Sequence, residues 1–479
     1  MFLKRFYDDG LAQASYLIGC AVTGEALVID ANRDIEQYLD AAAAEKLRIT
    51  HVSETHIHAD FVSGSRELAH ATGATLFLSA EGGTDWQYAF AKQDGATLVR
   101  DGDTIKVGNI RVQVMHTPGH TPEHISFLVT DTAGATEPMG IVTGDFVFVG
   151  DVGRPDLLER AANVANTMEA GARQLFRSLE RFRALPDFVQ VWPGHGAGSA
   201  CGKSLGAVPT STVGYEKRFN WGVGTTGEAD FVEMVLAGQP EPPFYFAQMK
   251  RLNRDGPRIL GGFPQPTHAA LGALQHALTD GSAVIDTRAA TAFAEGHVPG
   301  TMNVPLNKSF STWVGWLVAY DVDIHLVAED HAAVQRATRE LAMIGLDRVT
   351  TWYAPSVLDE WQRSDRALGT VARIDANALA QRVARDEVTV IDVRNRSEWD
   401  AGHLRDAIHI PVGYLPERVA DIPRDRPIVL QCQSGSRSAI ATSLLQKLGV
   451  TDAIDFVGGF GAWQAAGHEV VRDQITAAL

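Results

Sequence analysis

Four short polar loops, each placed directly after a β-rich run, most constrain what this chain can fold into. The first is Thr55-His56-Ile57-His58-Ala59-Asp60-Phe61, which follows the strand-like residues 49–53. The others are Thr117-Pro118-Gly119-His120, Thr143-Gly144-Asp145 and Trp192-Pro193-Gly194-His195. Two imidazoles and a carboxylate at alternating positions bring metal-binding groups within reach of one ion, and the later loops supply partners. Every candidate ligand thus stands just past a strand end, where rigid scaffolds present functional loops. A single such loop reads equally as satisfied polar residues; four in this order read as a metal site.

The runs between them alternate strand and helix. Residues 14–18 and 26–30 form a hairpin around Gly24, 34–47 a helix, and 75–79 a strand after a helix capped by Ser63 or Ser65 that ends near Gly73. Residues 98–130 are strand-like, with a turn at Asp101-Gly102. A strand over 140–143, a helix around 164–182 and a strand over 188–192 follow. Residues 208–266, rich in Gly, Pro, Trp and charge, read as a trailing lobe that ends in a linker at 261–266.

Beyond the linker the sequence repeats itself. Val284-Ile285-Asp286-Thr287-Arg288, with Gly296-His297 and Pro305, matches Val390-Ile391-Asp392-Val393-Arg394, with Gly402-His403 and Pro411. Residues 324–345 then match 428–449, so two copies of one α/β unit are present. Cys432 in the second copy corresponds to Ala328 in the first, and Arg437 to Ala333. Cys432 follows a strand over 427–431 and precedes a helix from about Ser436. Backbone N–H groups and a helix N-terminus at such a junction stabilise a thiolate, and Arg437 adds a fixed positive charge. Position alone leaves a buried structural cysteine equally open.

The 479 residues suffice for two to four domains. Forty-two basic against 58 acidic residues give a net charge of −16, which disfavours nucleic acid and acidic membranes. Three scattered cysteines, Cys20, Cys201 and Cys432, exclude a disulfide framework and imply a reducing compartment, the cytoplasm by default. No apolar run is long enough to span a membrane, and the N-terminus has no signal-peptide pattern.

On the four loops, roughly the first 260 residues resemble the metallo-β-lactamase superfamily. That resemblance implies an αββα sandwich with metals at one edge of the paired sheets. Its binuclear members carry His-x-His-x-Asp-His, and here the last position is Phe61, which cannot ligate. The persulfide dioxygenases of the superfamily bind one iron, and their pattern assigns His56, His120 and Asp145 as ligands. Two histidines and a carboxylate leave positions open on Fe(II). Gly153-Arg154-Pro155-Asp156 is also similar to the run that follows the iron aspartate in that family. His58, Asp60 and His195 then orient ligands or bound water rather than coordinate. His116 and His124 read as polar loop histidines.

The loop Cys432-Gln433-Ser434-Gly435-Ser436-Arg437, with Asp392-Val393-Arg394 and Gly402-His403 upstream, resembles rhodanese, whose Cys-x4-Arg loop fits a persulfide sulfur. Cys432 and Arg437 are the implied catalytic residues. The first copy, without cysteine, reads as a scaffold. The expected fold is α/β and α+β: a metallo-β-lactamase sandwich over 1–262, an inactive rhodanese-like domain over 267–365 and an active rhodanese domain over 370–479. The domain order resembles persulfide dioxygenase–rhodanese fusions of bacterial sulfide detoxification. It implies one Fe(II) per chain, a small thiol persulfide, dioxygen and thiosulfate or sulfite as reactants, and a homodimer or tetramer. Cys201, Arg154 and Lys203 are candidates for sulfur relay or substrate binding, while Cys20 reads as structural. Lys203, Lys217, Arg218, Lys250, Arg251 and Arg254 form a candidate basic rim for an anionic thiol. The alternatives are a zinc thioester hydrolase of the glyoxalase II kind, and a sulfur carrier in which only Cys432 reacts.

Overall fold

Along the strand Gln13–Cys20, Ala14, Tyr16, Ile18 and Cys20 enter one core while Leu17 enters another. That period of two builds the first half of the chain. The computed structural model describes residues 1–160, 167–239 and 241–472, and divides into two units. The first comprises Met1–Gly262 with Ala342–Gly345, the second Phe263–Leu341 with Leu346–Leu479.

In the first unit, β1 (Phe2–Asp8), β2 (Gln13–Cys20), β3 (Glu25–Ile29), β4 (Arg48–Ser53), β5 (Thr75–Ser79) and β6 (Thr97–Val99) make one sheet in that order. The strands β7 (Thr104–Val107), β8 (Ile110–His116), β9 (Ile125–Asp131), β10 (Gly140–Gly144), β11 (Gln190–Pro193) and β12 (Ser211–Thr212) make a second, also in sequential order. Tyr16, Ile18 and Leu27 of the first sheet meet Val112, Phe127, Val142 and Trp192 of the second in a shared core. The outer face of the first sheet packs Leu17, Val28 and Val52 on Tyr38, Ala41 and Leu68 of its helices. The outer face of the second packs Ile141 and Val191 on Leu175, Leu179 and Phe182. The result is the expected αββα sandwich, because each strand alternates between two buried faces.

Local details differ from the sequence reading. The helix after the first loop, Ser65–Thr72, has Gly64 at its N-cap with no side-chain cap, and ends at a left-handed Gly73. The Ser63 hydroxyl instead accepts from Ser65 N and donates to Glu54. The long helix runs Met168–Arg183; its predicted start at 164 lies outside the described residues. The trailing lobe contains the helices Val213–Phe219, Trp221–Gly224, Glu228–Leu236 and Tyr245–Asp255.

The second unit holds two parallel five-stranded sheets. The first comprises β13 (Thr267–His268), β14 (Ala283–Asp286), β15 (Met302–Asn303), β16 (Ile324–Val327) and β17 (Val349–Tyr353), ordered β13-β17-β16-β14-β15. The second comprises β18 (Ala372–Ile374), β19 (Thr389–Asp392), β20 (Ile408–His409), β21 (Ile428–Gln431) and β22 (Ala453–Phe456), ordered β18-β22-β21-β19-β20. The topology is the same, and so are the repeated side chains. Arg288 pairs with Asp286 at 2.6 Å and Arg394 with Asp392 at 2.7 Å, each also donating to the carbonyl of the repeated glycine. His297 stacks on Phe293 and His403 on Trp399, so the shared Asp-x-Arg and Gly-His residues serve the fold of each copy. Among the described residues no helix is long and apolar enough to cross a membrane.

Candidate metal centre and cysteine loop

The loops after β4, β8, β10 and β11 meet at one edge of the sandwich. Backbone bonds join the two sheets there: Ile125 N donates to Thr55 O, and Ala14 N to Gly194 O. Gly144 permits the closest approach. Its φ is +49°, and a Cβ there would meet the Thr55 hydroxyl and lie 2.9 Å from His124 Nε2.

His56, His120 and Asp145, all buried, bring their ligand atoms within 4.8 Å of one another. Asp145 Oδ2 lies 4.0 Å from His56 Nε2 and 3.6 Å from His120 Nε2. Which ring nitrogen faces the cluster is set from behind. The Thr55 hydroxyl gives its proton to Asp30 at 2.9 Å, so it accepts from His56 Nδ1, also 2.9 Å away. His120 Nδ1 donates to the Arg154 carbonyl at 3.0 Å, and His195 Nδ1 to the Ala12 carbonyl at 2.9 Å. Each of the three rings therefore holds its Nδ1 proton outward and presents Nε2. Burial and the neighbouring imidazoles hold His56 well below its ordinary value, and burial lowers His120. Both rings are neutral at pH 7.

His56 Nε2 and both Asp145 oxygens are buried with no hydrogen-bond partner. The Asp145 Oδ2 and His56 Nε2 lone pairs, buried and facing one another without a proton between them, are costly; a cation bound by two imidazoles and a carboxylate removes that cost, so the residues present fit a metal ion.

The other histidines and acids divide. His58 falls outside the cluster and turns its Nε2 to Asp30 at 3.1 Å. Burial opposes its charge, but Asp30 prevails and raises it to about 9. Asp60, His195 and Cys201 form a second buried group. His195 Nε2 is 3.2 Å from Asp60 and 3.4 Å from Asp145 Oδ1, the oxygen turned away from His56 and His120. Burial alone would lower His195; Asp145, Cys201 and Asp60 carry it well above the ordinary value. Burial, with Asp60 and Asp145, pushes the Cys201 thiol up to about 12.

Four expectations change. Arg154 is fully buried, with two bonds to Asp156 and one to the Ala200 carbonyl, so it offers the centre its carbonyl rather than its charge. Lys203 donates to the carbonyls of Met234 and Ala237 and lies over Trp221, which commits it to the trailing lobe. His124 is no loop histidine of convenience: it is buried, donates from Nδ1 to Thr117, and accepts the Asp145 amide proton on Nε2 at 3.1 Å. The candidate basic rim is largely engaged elsewhere, Lys217 with Asp187, Arg254 with Asp255 and Lys250 over Trp86.

Two supports carried no sequence signal as such. Asp30, buried with φ of +56°, accepts from Thr55 N, Thr55 Oγ1 and His58. Asn253, far along the chain, donates to the carbonyls of His58 and Phe61 and accepts from Ser63 N, which pins the loop. An aspartate ending the apolar strand β3 was the available hint for the first.

Cys432 is buried at the end of β21, ahead of the helix Ser436–Lys447. Gly435, with φ of +99°, turns its N–H to Cys432 Sγ at 3.1 Å. Arg437 makes a two-pronged pair with Glu398 at 2.6 and 2.7 Å. At the matching position the first copy has the buried Ala328. Cys20 sits at a strand end, where Asn109 and Thr23 outweigh its burial and bring the thiol to about 7.

Residues 8–195 match the family described as the metallo-beta-lactamase superfamily, and residues 375–466 the rhodanese-like domain. A solved metallo-beta-lactamase from Staphylococcus aureus subsp. aureus COL is 47% identical, covering 74% of this chain and 99% of its own, with a TM-score of 0.69. A hydroxyacylglutathione hydrolase of Polaromonas is 35% identical over 198 residues, 41% of this chain and 66% of that protein. A sulfurtransferase of Allochromatium vinosum is 35% identical over 105 residues, 22% of this chain and 98% of that protein. With two imidazoles and a carboxylate converging at the sandwich edge and a cysteine loop in the second unit, this chain belongs to the metallo-β-lactamase superfamily and carries a rhodanese-like domain after its metallo-β-lactamase domain.

Proposed function

We propose that the chain is an iron-dependent persulfide dioxygenase joined to a sulfurtransferase. The observation that carries this reading is the set His56, His120 and Asp145, two neutral imidazoles and one carboxylate, with the non-ligating Phe61 buried beside His58. Such a set suits Fe(II), which when bound supplies open positions and redox capacity for dioxygen chemistry. The net reaction takes a thiol persulfide, dioxygen and water to the thiol, sulfite and protons: the outer sulfur is oxidised and dioxygen reduced. The chain's part is to hold His56 through Thr55 and Asp30, His120 through the Arg154 carbonyl, and Asp145 through His124. Asp60 and His195 place charge and a proton beside Asp145.

At the second station the Cys432 thiolate takes a sulfane sulfur and passes it to sulfite, giving thiosulfate, or to a thiol. Residues 1–262 form the dioxygenase domain, 267–365 a rhodanese-like scaffold without cysteine, and 370–479 the sulfurtransferase domain, within a homo-oligomer of the cytoplasm. Joining both stations raises the effective concentration of sulfite at Cys432.

The test is oxygen consumption with thiol persulfides, with metal content measured on the same sample. About one iron per chain and persulfide-dependent uptake, abolished in His56→Ala, are expected. A second reading rests on the Asp60–His195–Cys201 group beside Asp145, which could hold a second ion, and on the likeness to hydroxyacylglutathione hydrolases. Two zinc ions per chain with thioester hydrolysis and no oxygen uptake would establish that hydrolase instead.

A further inference from the structure

We propose that Glu398 sets the charge of the sulfur donor at Cys432: by occupying the Arg437 guanidinium it makes this station an acceptor of sulfur from monoanionic persulfides and a poor site for the thiosulfate dianion. The inference rests on the sulfurtransferase reading of Cys432 and deepens it.

The loop looks built for anions until its cations are traced. Arg437 lies within the loop's first helical turn, yet both of its terminal nitrogens bond Glu398, one to each carboxylate oxygen. That geometry is the bidentate pairing of a guanidinium with a carboxylate, and it neutralises the Arg437 charge locally. The pair is mostly buried, with side-chain exposures of 17% and 28%, so water does little to loosen it. Glu398 is itself held in place, because its carboxylate accepts the Asn395 N–H in a capping box at the start of the helix Arg396–Asp400. Burial pushes the Glu398 carboxyl up, but Arg437 dominates and keeps it below the ordinary range, so it is charged at neutral pH.

The second arginine near the loop is no freer. Arg394 is buried with its guanidinium on Asp392, the Gly402 carbonyl and Gln433, and stacked over Phe460. On the far side, Ser438 gives its proton to Asp455 at 2.7 Å. Among the described residues, the loop's attraction for an anion thus comes from dipoles: the Gly435 N–H on Cys432 Sγ and the N-terminus of the twelve-residue helix Ser436–Lys447. Dipoles of this kind amount to a partial positive charge, which favours one negative charge but cannot balance two. A dianion would have to displace Glu398 from Arg437 or bear a second charge without a counterion.

The step is an exchange between sulfurs without net redox change. The Cys432 thiolate attacks the outer sulfur of R–S–S⁻, the donor S–S bond breaks, R–S⁻ leaves, and Cys432 carries S–S⁻. The charge at the loop then resides on the terminal sulfur, and a thiolate acceptor removes it in the reverse sense. Glu398 touches neither reactant; it acts through Arg437 as a positioning residue.

The experiment uses the full-length chain without oxygen, so that the metal domain does not consume the donor. The persulfide of 2-mercaptoethanol, a monoanion, and thiosulfate, a dianion, are compared as donors, with gain of one sulfur on Cys432 read by mass spectrometry and turnover by cyanide trapping. The wild-type protein is expected to prefer the persulfide in kcat/KM by roughly a hundred-fold. In Glu398→Gln, the thiosulfate KM should fall by roughly ten-fold, most at low ionic strength, with a much smaller change in kcat. Glu398→Asp, which keeps the charge, should restore the wild-type donor ratio. Equal loading of the wild-type protein from both donors overturns the inference without need of a variant. A thiosulfate KM unchanged in Glu398→Gln overturns it as well. If Cys432 gains sulfur from neither donor, the sulfurtransferase reading fails, which is a separate result.

Discussion

Replacing Asp30 by asparagine separates a supporting carboxylate from a bystander. Asp30 accepts three hydrogen bonds, from Thr55 N at 2.7 Å, Thr55 Oγ1 at 2.9 Å and His58 Nε2 at 3.1 Å. Asparagine keeps the shape, but it has one acceptor oxygen and no charge. One to two of these bonds are lost or reversed, and bonds to a charged acceptor contribute about 1.5–3 kcal/mol each. The loss is thus about 1.5–6 kcal/mol, shared between folding and the preorganisation of His56, since the Thr55 hydroxyl needs Asp30 to take its proton before it can accept from His56. At about 1.4 kcal/mol per factor of ten, we expect metal affinity to fall by about 10–100-fold. Competition with a chromophoric chelator measures that affinity, and urea unfolding of the metal-free protein measures the structural share. Destabilised metal-free protein with metal affinity within about two-fold of wild type would refute the reasoning, because Asp30 would then support the fold alone.

Three further outcomes follow from the same edge of the sandwich. Burial holds the Glu123 carboxyl up at about 7 against an ordinary 4.5, so the folded state keeps this proton where the unfolded chain releases it. Stability from this group should decline by about 3 kcal/mol as pH rises from 4.5 to 7, a slope that Glu123→Gln removes in urea titrations at each pH. Asn253→Ala removes three bonds from the loop holding His58 and Phe61 and should cost about 2–4 kcal/mol, with amide exchange rising at Ser63 while the second unit is unchanged. Gly144→Ala, at a left-handed position packed against Thr55 and His124, should lower metal content more than His116→Ala, by metal analysis of the purified proteins.

Much of the centre was legible because its residues are tied to strand ends. A strand-then-loop pattern places a side chain at an edge whatever the distance in sequence, which is why His56, His120 and Asp145 meet as expected. The repeat was legible for a similar reason: Asp286 with Arg288 and Asp392 with Arg394 are local pairs that recur with the fold of each copy. What stayed hidden are partnerships set by the chain's long-range path. Asn253 arrives from a helix of the trailing lobe, and no local period marks a helix asparagine as a clamp. His124 reads as a polar loop residue, because nothing in its spacing shows that the Asp145 amide lies opposite its ring. The run Gly153–Asp156 marks Arg154 in the sequence, but it does not show that its peptide carbonyl, rather than its side chain, faces His120.

The carbonyls behind His120 and His195 belong to Arg154 and Ala12, and a carbonyl is the same group in every residue. The proton placement of those two rings is therefore inherited with the path of the chain, whatever side chains stand at 12 and 154. Substitution can remove either ring from this edge, but it cannot readily turn one round. Of the three rings His56, His120 and His195, it is His56, whose proton is received by the Thr55 hydroxyl, that has its tautomer written in a side chain. A lineage or a designer wishing to retune the metal without dismantling the sandwich would find Thr55 the one position of the three open to change.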